Sequence, residues 1–165
     1  MPLHRFPIQL RFGDEDVNGH VNNVRYVQFL EEARVRLSLL PLPEADPGAG
    51  VSTFRSVTAE FGTTLVARQE IEYITPLTYS QDPAWIGIWV TEVGGSSFSY
   101  GFKLTDESAE TVYAVAEASM VMISSTTGRP ARLSDIQRRT LESWRGEPVP
   151  FRRRRSVESP AEGVK

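Results

Sequence analysis

Residues 12–27 read FGDEDVNGHVNNVRYV. Within them, Asp14 to Asn23 holds two Asp, one Glu, three Asn and one of the chain's two His. The sequence changes period across this stretch. Before it, residues 6–12 alternate, with Phe6, Ile8, Leu10 and Phe12 on one side, which predicts a half-buried strand. After it, residues 22–40 take a helical period. Val24, Val27, Leu30, Ala33, Leu37 and Leu40 share a stripe, widened by Tyr26 and Phe29. Asn22 or Asn23 suits the N-cap, and Glu32 with Arg36 makes a favourable i,i+4 pair. Such a helix would be about 28 Å long, enough to cover a small sheet.

Further along, residues 41–50 hold three Pro and two Gly and predict a loop. Four strand candidates follow. Residues 63–75 alternate, with Leu65, Ala67, Ile71 and Tyr73 on one face. Residues 84–93 are apolar on both faces. Gly94 and Gly95 then turn the chain into 97–105, where Phe98, Tyr100, Phe102 and Leu104 share a face. Residues 111–123 place Val112, Ala114, Ala116, Ala118, Met120 and Met122 together. A second helix over about 134–144 opens on the capping box Ser134-Asp135-Ile136-Gln137. One strand, one long helix and then a run of strands predict an α+β fold. A single helix covers one sheet face, so the two-sided strand 84–93 predicts cover from a partner subunit.

The 165 residues, at 40% hydrophobic and 24% charged, suit one domain with its own core. The net charge of −3 gives no reason to expect nucleic acid. The chain has no Cys, which removes disulfides, thiolate nucleophiles and Cys-bound zinc and suits a reducing cytoplasm. No apolar run approaches a membrane span, and MPLHRFPIQLRF lacks the apolar core of a signal peptide. The basic residues are 16 Arg and 2 Lys, four of the Arg standing in the run Arg152 to Arg155. Residues 1–145 are therefore expected to fold, and 146–165 to form an Arg-rich, disordered tail. His4, just before the first strand, is expected at the surface.

Three chemistries fit the polar junction. A strand-to-helix turn uses Asp, Asn and Gly but does not need seven polar side chains in ten residues. A calcium loop fits Asp14-Glu15-Asp16-Val17-Asn18-Gly19 by letter, yet its twelfth position, which should be a bidentate Glu, is Arg25. The third is a reaction site. Asp16, just before a helix start, can serve as a base for water or as a nucleophile. The first-turn N–H groups near Asn22 to Val24 have no intrahelical acceptor and favour negative charge. A carbonyl held there would be polarised. His20 can orient water or bond a leaving group, and Asn18 can hold the carboxylate or the water. Base and electrophile on one segment suit acyl transfer to water, with no metal or organic cofactor.

These residues resemble the hotdog-fold thioesterases, in particular the 4-hydroxybenzoyl-CoA thioesterase-like group. The likeness lies in Arg11-Phe12, Asp14 and Asp16, then Gly19-His20-Val21-Asn22-Asn23 and Tyr26, then Phe29-Leu30-Glu31-Glu32-Ala33-Arg34. Ile71 to Leu77 is similar to the family's second strand and its Pro exit. The resemblance covers roughly residues 4–125 and implies a curved antiparallel sheet of about five strands wrapped around one long helix. It further implies a homo-oligomer, dimer or tetramer, with sites at the subunit boundary, and acyl-CoA substrates of the kind met in fatty acid metabolism. By the same resemblance Asp16 is the catalytic carboxylate and the polarising N–H falls near Asn23, which puts Asn22, Asn23 and Tyr26 against substrate. Asp16-Val17-Asn18-Gly19-His20 also resembles the Asp-x-Asn-x-His run of plant acyl-carrier-protein thioesterases, which implies roles for Asn18 and His20. Two other functions sit on the same fold: a hydratase or dehydratase acting on acyl thioesters, and a non-catalytic acyl-CoA-binding protein. The hydratase run Asp-x-Asn-Pro-x-His places its His one residue further on and carries a Pro that is missing here.

Overall fold

The computed structural model describes residues 4–42 and 52–152. Five strands form one antiparallel sheet: β1 (His4–Ile8), β2 (Gly62–Tyr73), β3 (Ala84–Val93), β4 (Ser97–Thr105) and β5 (Val112–Ser124). Their order across the sheet is β1-β3-β4-β5-β2. The long helix α1 (Asn23–Ser38) lies on one face, closest to β3. Two shorter helices, α2 (Phe54–Ala59) and α3 (Asp135–Ser143), complete the fold. A curved sheet wrapped on one long helix is the hotdog fold.

The core lies between α1 and the concave sheet face. Tyr26, Phe29, Leu30, Ala33 and Leu37 are the buried side of α1. They meet Ile86, Ile88 and Val90 of β3, and Phe98, Tyr100 and Phe102 of β4. Val24 and Val27, expected in the buried stripe, are exposed instead, because the sheet meets the helix on the Tyr26–Phe29 side. Glu32 pairs with Arg36 as expected. Arg36 also donates to the Pro7 carbonyl at 2.6 Å, tying α1 to β1.

Several expectations are corrected. The first strand ends at Ile8 rather than residue 12. Phe12 opens a 3-10 turn over Phe12–Asp14 and is 77% exposed, its ring edge-on to Tyr79. His4 is not a free surface residue. It is the first residue of β1, half-buried, with its ring 6.0 Å from that of Trp144. In β2 a bulge between Val66 and Arg68 shifts the register. Val66 and Ile71 therefore pair with Met120 and Ala116, two buried concave-side residues, while Leu65 falls on the opposite face and is exposed. Strict alternation had put Leu65 and Ile71 together. The six-residue helix α2 was not foreseen, being too short to show a period.

The second face of β3 is covered by the chain itself. Trp89, Val115 and Val149 form a small cluster with Ile74, Val112 and Phe151 against it. Trp89 Nε1 donates to the Glu147 carbonyl at 2.6 Å, and the Arg152 N–H donates to Glu72 at 2.9 Å. Residues 146–152, expected in the tail, pack on the sheet; 153–165 lie outside the described residues, as do 43–50 of the loop and residue 51 after it. Among the described residues no helix is long and apolar enough to cross a membrane.

Candidate active site

The junction folds as a tight loop between the 3-10 turn and α1. Asp16 N–H donates to the His20 carbonyl at 2.9 Å, and Gly19 N–H returns to the Asp16 carbonyl at 3.0 Å. Gly19 takes φ +72°, a conformation that costs side-chain-bearing residues about 1–2 kcal/mol. The loop is anchored at its base. Asn22 N–H donates to the Asp14 carbonyl at 2.8 Å, and Val21 N–H donates to the Leu77 carbonyl at 2.7 Å. Glu15 accepts the Tyr79 N–H at 2.6 Å. Thus Glu15 and Val21 strap the loop to the segment leaving β2.

The two aspartates differ sharply. Asp14 is 5% exposed. Its carboxylate lies 3.2 Å from Arg25 Nε and accepts the Arg11 N–H at 2.8 Å. Arg25, where a calcium loop would put its bidentate Glu, is the counterion of Asp14 instead. Asp16 is half-buried and accepts one hydrogen bond, from the Asn18 N–H at 2.8 Å. No other hydrogen bond or ion pair to its carboxylate occurs among the described residues. Among those residues there is also no group of three or more His, Cys, Asp or Glu placed to hold a metal.

The helix start supplies the other half. Asn22 is the N-cap of α1, and its side chain accepts the Val24 N–H at 3.0 Å. Arg25 N–H donates to the Asn22 carbonyl at 2.8 Å. Between them the Asn23 N–H has no acceptor among the described residues. A cleft of about 370 Å³ opens here, lined by Asp16, His20, Asn23, Tyr26 and the run Tyr73 to Leu77.

Of the six residues expected from sequence, the cleft brings together Asp16, His20, Asn23 and Tyr26. Asn18 reaches Asp16 through its backbone and does not line the cleft. Asn22 is occupied as a cap and does not line it either. Tyr26 is buried, its ring 5.0 Å from Tyr73 and perpendicular to it. Burial pushes its phenol pKa up, opposed by a hydrogen bond to the Leu77 backbone. Sequence reasoning missed the opposite wall, Tyr73 to Leu77. Its signal was the likeness of Ile71 to Leu77 to the family's second strand and Pro exit, which marks a boundary and not a site.

Comparison with solved structures finds the same architecture. YbaW from Escherichia coli, a probable thioesterase, is 28% identical with a TM-score of 0.69, over 85% of this chain and 97% of that one. A thioesterase from Thermus thermophilus, complexed with coenzyme A and Zn, is 26% identical with a TM-score of 0.66, over 87% and 95%. The PA5185 protein from Pseudomonas aeruginosa is 25% identical with a TM-score of 0.68, over 87% and 92%. Comparison with curated proteins finds no match. The family model described as the thioesterase-like superfamily matches residues 10–141, most of the chain. This chain is a member of the thioesterase-like superfamily.

Proposed function

We propose that this protein hydrolyses acyl-CoA thioesters to free acid and CoA, with Asp16 as the catalytic carboxylate and the Asn23 N–H as the group that polarises the carbonyl. One observation carries this reading: Asp16, whose carboxylate has no ion pair among the described residues, and Asn23, whose N–H has no acceptor among them, line the same cleft. The thioester oxygen accepts from Asn23, where the N-terminal end of α1 favours negative charge. Asp16 removes a proton from water, and the hydroxide adds to the carbonyl carbon. The tetrahedral oxyanion stays on Asn23, then collapses. The C–S bond breaks, and the thiolate takes the proton that Asp16 holds. Direct attack by Asp16, through an anhydride that water later opens, uses the same two groups. The Asn18 N–H fixes the carboxylate. His20, exposed at the cleft wall, orients water or bonds the departing sulfur. Tyr26 and Tyr73 form the apolar side against which the acyl group rests. The coenzyme A in the similar Thermus thermophilus thioesterase supports CoA as the carrier.

Self-association belongs to the same proposal. β2 is an edge strand, and Leu65, Val66 and Tyr73 on it are exposed, as are Val24, Val27 and Val35 on α1. A second copy pairing along this edge would cover them.

Thiol release from short, medium, long and aromatic acyl-CoAs tests the reading. Asp16→Asn is expected to lower kcat by about 10²–10⁴-fold. Unchanged release would remove Asp16 from the mechanism, and a hydroxylated product with CoA still attached would make the protein a hydratase.

A further inference from the structure

The loop that carries Asp16 is a small hairpin. Glu15 and Val21 face each other at its neck as an antiparallel bridge. On one side of that pair Asn22 N–H donates to the Asp14 carbonyl at 2.8 Å; on the other Asp16 N–H donates to the His20 carbonyl at 2.9 Å. Asp16 and His20 are thus the first pair beyond the neck.

Both legs of the neck reach the opposite wall of the cleft. From one leg, Val21 N–H donates to the Leu77 carbonyl at 2.7 Å. From the other, the Glu15 carboxylate accepts the Tyr79 N–H at 2.6 Å, across 64 positions of sequence. Among the described residues no other hydrogen bond joins 15–21 to 73–79. One bond fixes a distance and leaves a hinge; the second removes the hinge. The Val21–Leu77 bond runs between main chains and would hold whatever the side chains were. The Glu15 bond belongs to a side chain and is charge-assisted. Glu15 has no ion pair among the described residues, so this N–H is the partner its half-buried carboxylate has there. Tyr79 is held a second time by the ring of Phe12, 5.8 Å away and nearly perpendicular.

We propose that Glu15 is a positioning residue for the hydrolysis. By holding Tyr79 it fixes the wall that carries Tyr73, Thr75 and Leu77 against the loop that carries Asp16, and so sets the spacing between the carboxylate and a thioester bound between them. Glu15 itself does not line the cleft. This rests on the thioesterase reading and extends it to a residue that acts only through Asp16. Small misplacements of a reacting group cost rate steeply, so the effect falls on kcat rather than on KM.

The test measures thiol release from acyl-CoA by wild type, Glu15→Ala, Glu15→Gln, Asp16→Asn and the double variant Glu15→Ala with Asp16→Asn. Glu15→Ala is expected to lower kcat by about 10-fold with KM nearly unchanged. Glu15→Gln, whose side-chain oxygen accepts the same N–H, is expected to recover most of that loss. In the Asp16→Asn background, Glu15→Ala should cost little more, because nothing remains to be positioned. Full kcat in Glu15→Ala overturns the proposal and leaves the thioesterase reading standing. So does a Glu15→Gln as slow as Glu15→Ala, or a loss that multiplies in full with that of Asp16→Asn. A Glu15→Ala that has lost its fold by circular dichroism overturns it too, since the residue would then hold the chain and not the site. Wild type that releases no thiol from any acyl-CoA, or Asp16→Asn that releases it at the full rate, sinks both readings together.

Discussion

Arg25 Nε lies 3.2 Å from Asp14 Oδ1, and this ion pair fixes the geometry of a neighbouring carboxylate it never touches. Arg25 stands in the first turn of α1, and Asp14 closes the 3-10 turn before the loop. Their contact, with the Asn22 N–H on the Asp14 carbonyl at 2.8 Å, holds the loop against the helix start. Asp16 is thereby presented to the cleft without a partner cation among the described residues. The two aspartates should separate by experiment. Arg25→Met leaves the Asp14 carboxylate buried without its counterion, and is expected to cost about 2–3 kcal/mol by urea unfolding. Asp16→Asn removes no ion pair, and its unfolding midpoint should stay within about 0.5 kcal/mol of wild type. A reversed order of stabilities would exchange their roles.

Asn23 contributes to the proposed reaction through its backbone, so its side chain is the wrong thing to mutate. Asn23→Pro deletes the N–H itself. The position tolerates it: Asn23 is the first residue of α1, where Pro is favoured. Asn22 before it already has φ −61° and ψ 140°, the extended conformation that a following Pro demands. Activity is expected to fall about 10²–10³-fold in kcat with the helix content by circular dichroism unchanged. Asn23→Ala keeps the N–H and should retain most activity. Equal activity in Asn23→Pro would mean that the carbonyl is polarised elsewhere.

Local chemistry made much of this legible in sequence. The β3–β4 hairpin was readable because Gly94-Gly95 marks the turn between a run apolar on both faces and an alternating one. The period change at Asn22 placed α1, and the polar loop before it placed Asp16, His20 and Asn23, because one short segment carries all three. What was hidden depends on contacts distant in the chain. The bulge after Val66 reverses the phase of β2 with no Gly or Pro to announce it. Tyr73 to Leu77 reach the cleft through the Val21–Leu77 and Glu15–Tyr79 hydrogen bonds, which join residues more than fifty positions apart. Asn22 was a candidate for substrate through the family resemblance, and the geometry gives its side chain to the cap instead.

His4 offers a pH-dependent signature unconnected to catalysis. Its half-buried ring stands against Trp144, and loss of hydration lowers its pKa below the ordinary value of 6.5. In the window between the folded value and 6.5 the unfolded chain binds the extra proton and the folded chain does not. Stability therefore rises with pH through that window. The full contribution is present above 6.5 and is lost as pH falls through the folded value. Urea midpoints for wild type and His4→Phe should run parallel above that window and separate as pH falls through it, with wild type falling faster. Parallel curves down to acid pH would place the imidazole in water.

The final prediction concerns the segment that covers the outer face of β3. Trp89 lies between two glycines: a Cβ on Gly101 would come within 2.6 Å of its ring, and one on Gly146 within 2.7 Å. The approach is close because the backbone after α3 runs directly over the indole. Val90 N–H donates to the Trp144 carbonyl at 2.8 Å, and Gly146 N–H donates to the Val90 carbonyl at 2.9 Å. Gly146→Ala forces either the ring or this segment to move, and overpacking of this kind costs about 1–3 kcal/mol. The loss should come with a red shift of tryptophan emission, since displacing the segment opens Trp89 to water. Gly95→Ala, where an added Cβ meets nothing within 4 Å, is the control and should leave both readouts in place. If Gly146→Ala matches that control, residues 146–152 do not cover Trp89 in solution, and the outer face of β3 is left for a partner subunit to cover, as the apolar sequence of 84–93 first suggested.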